Sequence, residues 1–135
     1  MLKTLTYTSL ARLDLDAQDL EAIHHSARTL NALDGITGLL VFDGRRFLQI
    51  VEGAPDAIDD LMARLWRDSR HSAIEIRDER LVEARAFPDW TMELLQVDAG
   101  FLTARNSIDG ILPEETPAPI RDLVGRMSDR LAIEL

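Results

Sequence analysis

The sequence contains no cysteine, which excludes disulfides, thiolate metal sites and thiol redox chemistry. No apolar run approaches the length needed to cross a bilayer. The N-terminus, Met1-Leu2-Lys3-Thr4, lacks the apolar stretch of a signal peptide. Basic residues are few: 15 Lys and Arg against 24 Asp and Glu, a net charge of −9. Nucleic acid and anionic lipid repel such a chain on average. Of three histidines two are adjacent, which matches no usual metal-ligand spacing. These absences predict a cytoplasmic protein with no metal, no nucleic-acid partner and no membrane.

What is present is the composition of a globular chain, 46% hydrophobic and 29% charged over 135 residues, enough for one core. Thr4 to Ser9 alternates Leu5 and Tyr7 with threonines, the period of a strand with one buried face. Asp16 offers an N-cap, with Asp19 three residues on. Leu20, Ile23, Ala27 and Leu30 then recur at helical spacing up to about Asn31. Ile36 to Phe42 is a β-rich run, Asp43-Gly44 a hairpin signal, and Phe47 to Val51 the returning strand. Pro55 opens a second helix with the stripe Ile58, Leu61, Met62, Leu65 and Trp66. Strands near Ile74–Leu81 and Trp90–Leu95 follow.

The order β-α-β-β-α-β-β predicts an α+β, ferredoxin-like sheet with one added strand. In that topology the first and third strands are central neighbours, and both helices cover one face. The other face needs cover of its own. Ile120, Leu123, Val124, Met127 and Leu131 form a helical stripe in the tail that could supply it. The expected division is one folded domain over residues 1–97 and a connector with a helical tail over 98–135.

Three polar residues sit among apolar neighbours: Tyr7 in the first strand, Gln49 in the third, Asn31 at the end of the first helix. Burying a Gln amide unpaired costs about 1–3 kcal/mol, so partners are required. On adjacent strands, Tyr7 and Gln49 are candidates to meet at the sheet–helix interface. A flat heterocycle between the helices would use both carboxamides, because each carries donor and acceptor groups. Ile23 and Leu65 would clamp its faces. Each residue alone has a plainer reading: a core tyrosine, a backbone-bonded glutamine, an asparagine cap, core filler for Trp90 and Met92, and surface positions for His24 and His25.

Taken together, the motifs are more specific. Gly35-Ile36-Thr37-Gly38-Leu39-Leu40, followed by Phe47-Leu48-Gln49-Ile50-Val51-Glu52-Gly53, resembles the signature of the BLUF family, blue-light sensors using flavin. Asp68-Ser69-Arg70-His71 and Arg85-Ala86-Phe87-Pro88-Asp89-Trp90-Thr91-Met92 are similar to two further segments of that family. The resemblance covers residues 2 to about 97. It implies FAD as cofactor, with FMN or riboflavin as alternatives, bound between the two helices. It implies that Tyr7 donates an electron and a proton, that Gln49 switches its hydrogen bond, and that Asn31 anchors the pyrimidine edge. Trp90 and Met92 would sense the glutamine. Asp68, Arg70 and His71 would lie toward the ribityl or phosphate end. Thr8, Leu30 and Ala32 stand where some relatives carry Arg, His and Asn.

The implied function is a blue-light photoreceptor without enzymatic activity, its output acting in trans on a protein partner or through a homodimer or higher oligomer. Two rivals use the same scaffold. One is a light-silent small-molecule binding module. The other is an acylphosphatase-like hydrolase, for which neither a phosphate loop nor a paired Arg–Asn site is evident.

Overall fold

The computed structural model describes residues 1–87 and 91–96, with Ala118, Arg121 and Asp122. The elements run β1 (Leu2–Ala11), α1 (Ala17–Leu33), β2 (Thr37–Phe42), β3 (Arg46–Gly53), α2 (Pro55–Trp66), β4 (His71–Val82) and β5 (Thr91–Gln96). The sheet order is β4-β1-β3-β2-β5. The first four strands pair antiparallel, and β5 adds to the β2 edge in parallel. This is the ferredoxin-like arrangement with an extra strand, as predicted.

Local chemistry accounts for the element boundaries. The Asp16 carboxylate accepts from the Asp19 backbone N–H, and the Asp19 carboxylate accepts from the Asp16 N–H. This capping box satisfies two otherwise orphaned donors at the start of α1. Pro55 occupies the first turn of α2, where its missing N–H costs nothing. The Asp43 carboxylate accepts from the Arg45 and Arg46 N–H groups and closes the β2–β3 hairpin.

The core lies between the helices and one sheet face, where Leu20, Ile58, Leu61 and Met62 pack on Leu5, Leu40, Phe47 and Val51. The opposite face, expected to need cover of its own, is buried along the central strands. Thr4, Thr6 and Thr8 are buried, as are Leu39, Val41, Leu48 and Ile50. The central strands are therefore covered on both sides, and the threonines are not solvent-facing. Trp66 departs from expectation. It closes the apolar stripe of α2 but is 60% exposed, because it is the helix's last residue and lies past the part that meets the sheet. Strand β4 begins at His71, three residues before the expected start. Trp90 and the tail stripe from Ile120 to Leu131 lie outside the described residues.

Candidate functional site

Strand register brings the two polar core residues together. Tyr7 on β1 is paired with Gln49 on β3, and both are almost fully buried. The Tyr7 hydroxyl donates to Gln49 Oε1 at 2.5 Å. Burial drives the Tyr7 phenol well above its ordinary pKa, and the negative charge of Asp68 adds to the rise. The phenol therefore stays protonated, and with the amide oxygen toward it Nε2 lies on the far side. There Gln49 Nε2 donates to Met92 Sδ at 3.1 Å. Tyr7, Gln49 and Met92 thus form one line of side chains across β1, β3 and β5.

Tyr7 and Gln49 floor a cleft between α1 and α2, about 710 Å³ when the adjoining open solvent is included. Ile23 and Asn31 reach it from α1, and Leu61 and Leu65 from α2. Asp68, Arg70 and His71 line one part of its wall. Arg70 holds Asp68 through a 2.7 Å ion pair and depresses its carboxyl pKa. Burial lowers the His71 pKa, favouring the neutral ring. Its Nδ1 meets Ser9 Oγ at 2.8 Å.

The cleft contains polar atoms that want partners. Asn31 is 1% exposed, yet neither its Nδ2 nor its Oδ1 has a hydrogen bond. A buried polar atom left unsatisfied costs about 1–3 kcal/mol. A carboxamide at the wall of an apolar cleft, with donor and acceptor both free, fits the edge of a flat heterocycle bearing carbonyl and N–H groups. Apolar side chains from both helices fit its faces. Every site residue predicted from the sequence, Trp90 apart, lines this cleft or touches a residue that does.

Met92 carries a feature that sequence reasoning missed. Thr91 pairs with Gly38 and Glu93 with Leu39, so Met92 is skipped in the ladder. Its φ is 62°, a left-handed backbone that costs a non-glycine residue about 1–3 kcal/mol. His24 Nε2 lies 2.9 Å from the Met92 carbonyl. His24 is thus half-buried and bonded, not the surface residue expected; His25 is exposed. Just upstream of β5, the buried Glu52 carboxylate accepts from the Ala86 and Phe87 N–H groups, and Arg85 donates to the Glu52 and Gly35 carbonyls. No spacing rule signals these contacts, since each joins segments far apart in sequence.

The family model described as BLUF, sensors of blue-light using FAD, matches residues 2–93. The chain belongs to the BLUF family. Photoactivated adenylate cyclase subunit beta of Euglena gracilis is 36% identical over 92 residues, covering 67% of this chain and 11% of that protein. The chain thus spans about a tenth of the length of this BLUF relative. The dark-state structure of the BLUF protein BlrB superposes with a TM-score of 0.75 at 30% identity, covering 99% of this chain and 97% of that one. Klebsiella pneumoniae BlrP1, solved with FMN and cyclic diGMP, matches with a TM-score of 0.77 at 29% identity, over 96% of this chain and 35% of that one. The BLUF chromophore is a flavin, FAD by the family description. The chain is accordingly a blue-light sensor domain. Among the described residues, no helix is long and apolar enough to cross a membrane.

Proposed function

We propose that Tyr7, Gln49 and Met92 form the light-driven relay of this BLUF domain, with Asn31 as the anchor of the flavin's pyrimidine edge. The bound flavin supplies blue-light absorption and an electron-accepting ring. Ile23 and Leu65 clamp its faces. Asp68, Arg70 and His71 face its ribityl or phosphate portion. Tyr7 gives up an electron and its hydroxyl proton. The Gln49 amide then turns or tautomerises. A turned amide sets Oε1 against Met92 Sδ in place of Nε2, exchanging a donor–acceptor contact for two acceptors. Met92 must respond, and β5 moves with it. Trp90, two residues earlier, belongs to the same output segment.

The observation that carries this reading is the continuity of the line. Tyr7 bonds Gln49 and Gln49 bonds Met92, so one amide links the cleft floor to the edge strand. The sensor occupies residues 1–97, and residues 98–135 act as connector and helical tail. The output goes to a protein partner in trans or into altered self-association. Relatives named for adenylate cyclase and for antirepressor activity favour a sensor that works with different effectors. A reversible red shift of the flavin absorption band under blue light, in the purified full chain, tests the reading. A yellow preparation with no light response would contradict it.

A further inference from the structure

Met92 is held from two sides. Its thioether meets the Gln49 amide, and its carbonyl meets His24 from α1. A backbone carbonyl can only accept, so His24 Nε2 carries the proton and donates. The carbonyl belongs to a residue with no exposed surface, skipped by the β2–β5 ladder. Loss of the imidazole would remove one hydrogen bond from this buried oxygen. The left-handed backbone of Met92 (φ 62°) is of the kind that persists only when its surroundings over-determine it. His24 and Gln49 are two of those surroundings, one on the helix and one on the sheet.

These contacts act on a single bistable element, the bulge at Met92. Extended, Met92 would join the ladder and withdraw its carbonyl from α1. Bulged, it sets Sδ on Gln49 and its carbonyl on His24. Helix α1 also carries Ile23 and Asn31 into the cleft. We propose that His24 is a positioning residue for the light-driven switch: it pins the bulge through the Met92 carbonyl, so that rearrangement of Gln49 is felt by α1 as well as by β5. The proposal rests on the reading of Gln49 as the switch. In the dark both contacts stand. When the amide turns, the thioether contact is lost, the bulge relaxes, and the His24 bond lengthens or breaks. Restoring that bond is part of dark recovery.

The test uses the full chain with FAD. The sequence holds one Met-Glu pair, Met92-Glu93, so carbonyl-13C methionine combined with 15N glutamate singles out this peptide unit by NMR. In the wild type, the Met92 carbonyl signal sits at a hydrogen-bonded position in the dark and moves under blue light. The His24 Nε2 signal, protonated in the dark, moves with it, and this needs no variant. In His24→Leu the carbonyl signal is displaced in the dark and no longer moves with light, and dark recovery changes by about threefold or more. His24→Gln, which keeps a donor, restores part of both. A wild-type chain with no red shift overturns the Gln49 reading and the coupling together. A normal red shift with the Met92 carbonyl and His24 Nε2 signals stationary overturns the coupling alone, as does a His24→Leu chain whose Met92 signal matches wild type.

Discussion

The Tyr7 hydroxyl donates to the Gln49 side-chain oxygen between directly paired residues of β1 and β3. The hydroxyl donates to Oε1 and Nε2 meets Met92, so both contacts together set the orientation of the amide. The pair stores one of two amide orientations, and a change at the phenol is what releases it. Tyr7 is also the chain's only tyrosine, which makes it directly observable.

Replacing Tyr7 by Phe removes the donor and leaves a buried amide oxygen unpaired, a loss of about 1–3 kcal/mol in unfolding free energy. Flavin should still bind, since the clamping residues remain. The ordinary red shift should disappear. Denaturant unfolding and a light-minus-dark absorption spectrum check both parts, and a normal photocycle in this variant would remove Tyr7 from its role.

Asn31 gives a prediction with opposite signs in two states. Its amide is buried and unbonded in the protein alone, so Asn31→Leu should stabilise the flavin-free protein, by about 1 kcal/mol or more. The same change should weaken flavin binding by about tenfold to a hundredfold, through two lost hydrogen bonds. Melting of the flavin-free chain and titration with FAD measure the two effects. Weakened stability of the flavin-free variant would show that the amide has a protein partner after all.

His71 predicts a pH dependence. Burial lowers its pKa below the ordinary 6.5, so between the folded and unfolded values the unfolded chain binds the extra proton. Stability therefore falls as pH drops from about 6.5 toward the lower folded value, and is regained as pH rises. His71→Gln should flatten this part of the profile. Unfolding midpoints from about pH 5 to pH 8, the range in which an imidazole titrates, give the comparison.

Gly38 sits where β2 meets both β3 and the bulge. Its φ is 152°, and a Cβ there would lie 1.8 Å from the Ile50 carbonyl oxygen. Gly38→Ala must push β2 away from β3, a loss of about 3 kcal/mol or more. Thermal unfolding reads it out, and a loss within experimental error would show that the strands can separate without cost.

Much of this architecture is legible in the sequence because it depends on local patterns. The capping box at Asp16 and Asp19, the Asp43-Gly44 hairpin and the stripe from Ile58 to Leu65 each announce an element. The ferredoxin-like order then makes β1 and β3 neighbours, which is enough to bring Tyr7 and Gln49 together. Asn31 was legible as a polar residue on an apolar stripe. The Met92 bulge was not, since a left-handed methionine has no compositional signature. His24 reads as surface because the carbonyl it meets lies 68 residues further on. The alternation of Thr4, Thr6 and Thr8 with Leu5 and Tyr7 marks one buried face, and burial of the threonine face as well depends on packing that period-two patterns do not encode. Trp66 fits its helical stripe by spacing and leaves the core only because the helix ends there.

Light-minus-dark infrared spectra of the full chain with FAD, with glutamine side chains isotopically labelled and Gln49→Leu as control, test the relay most directly. The account predicts a reversible change in a glutamine amide band that accompanies the red shift, with both absent in Gln49→Leu. A normal red shift in Gln49→Leu, or a red shift in wild type with no glutamine band moving, would contradict it.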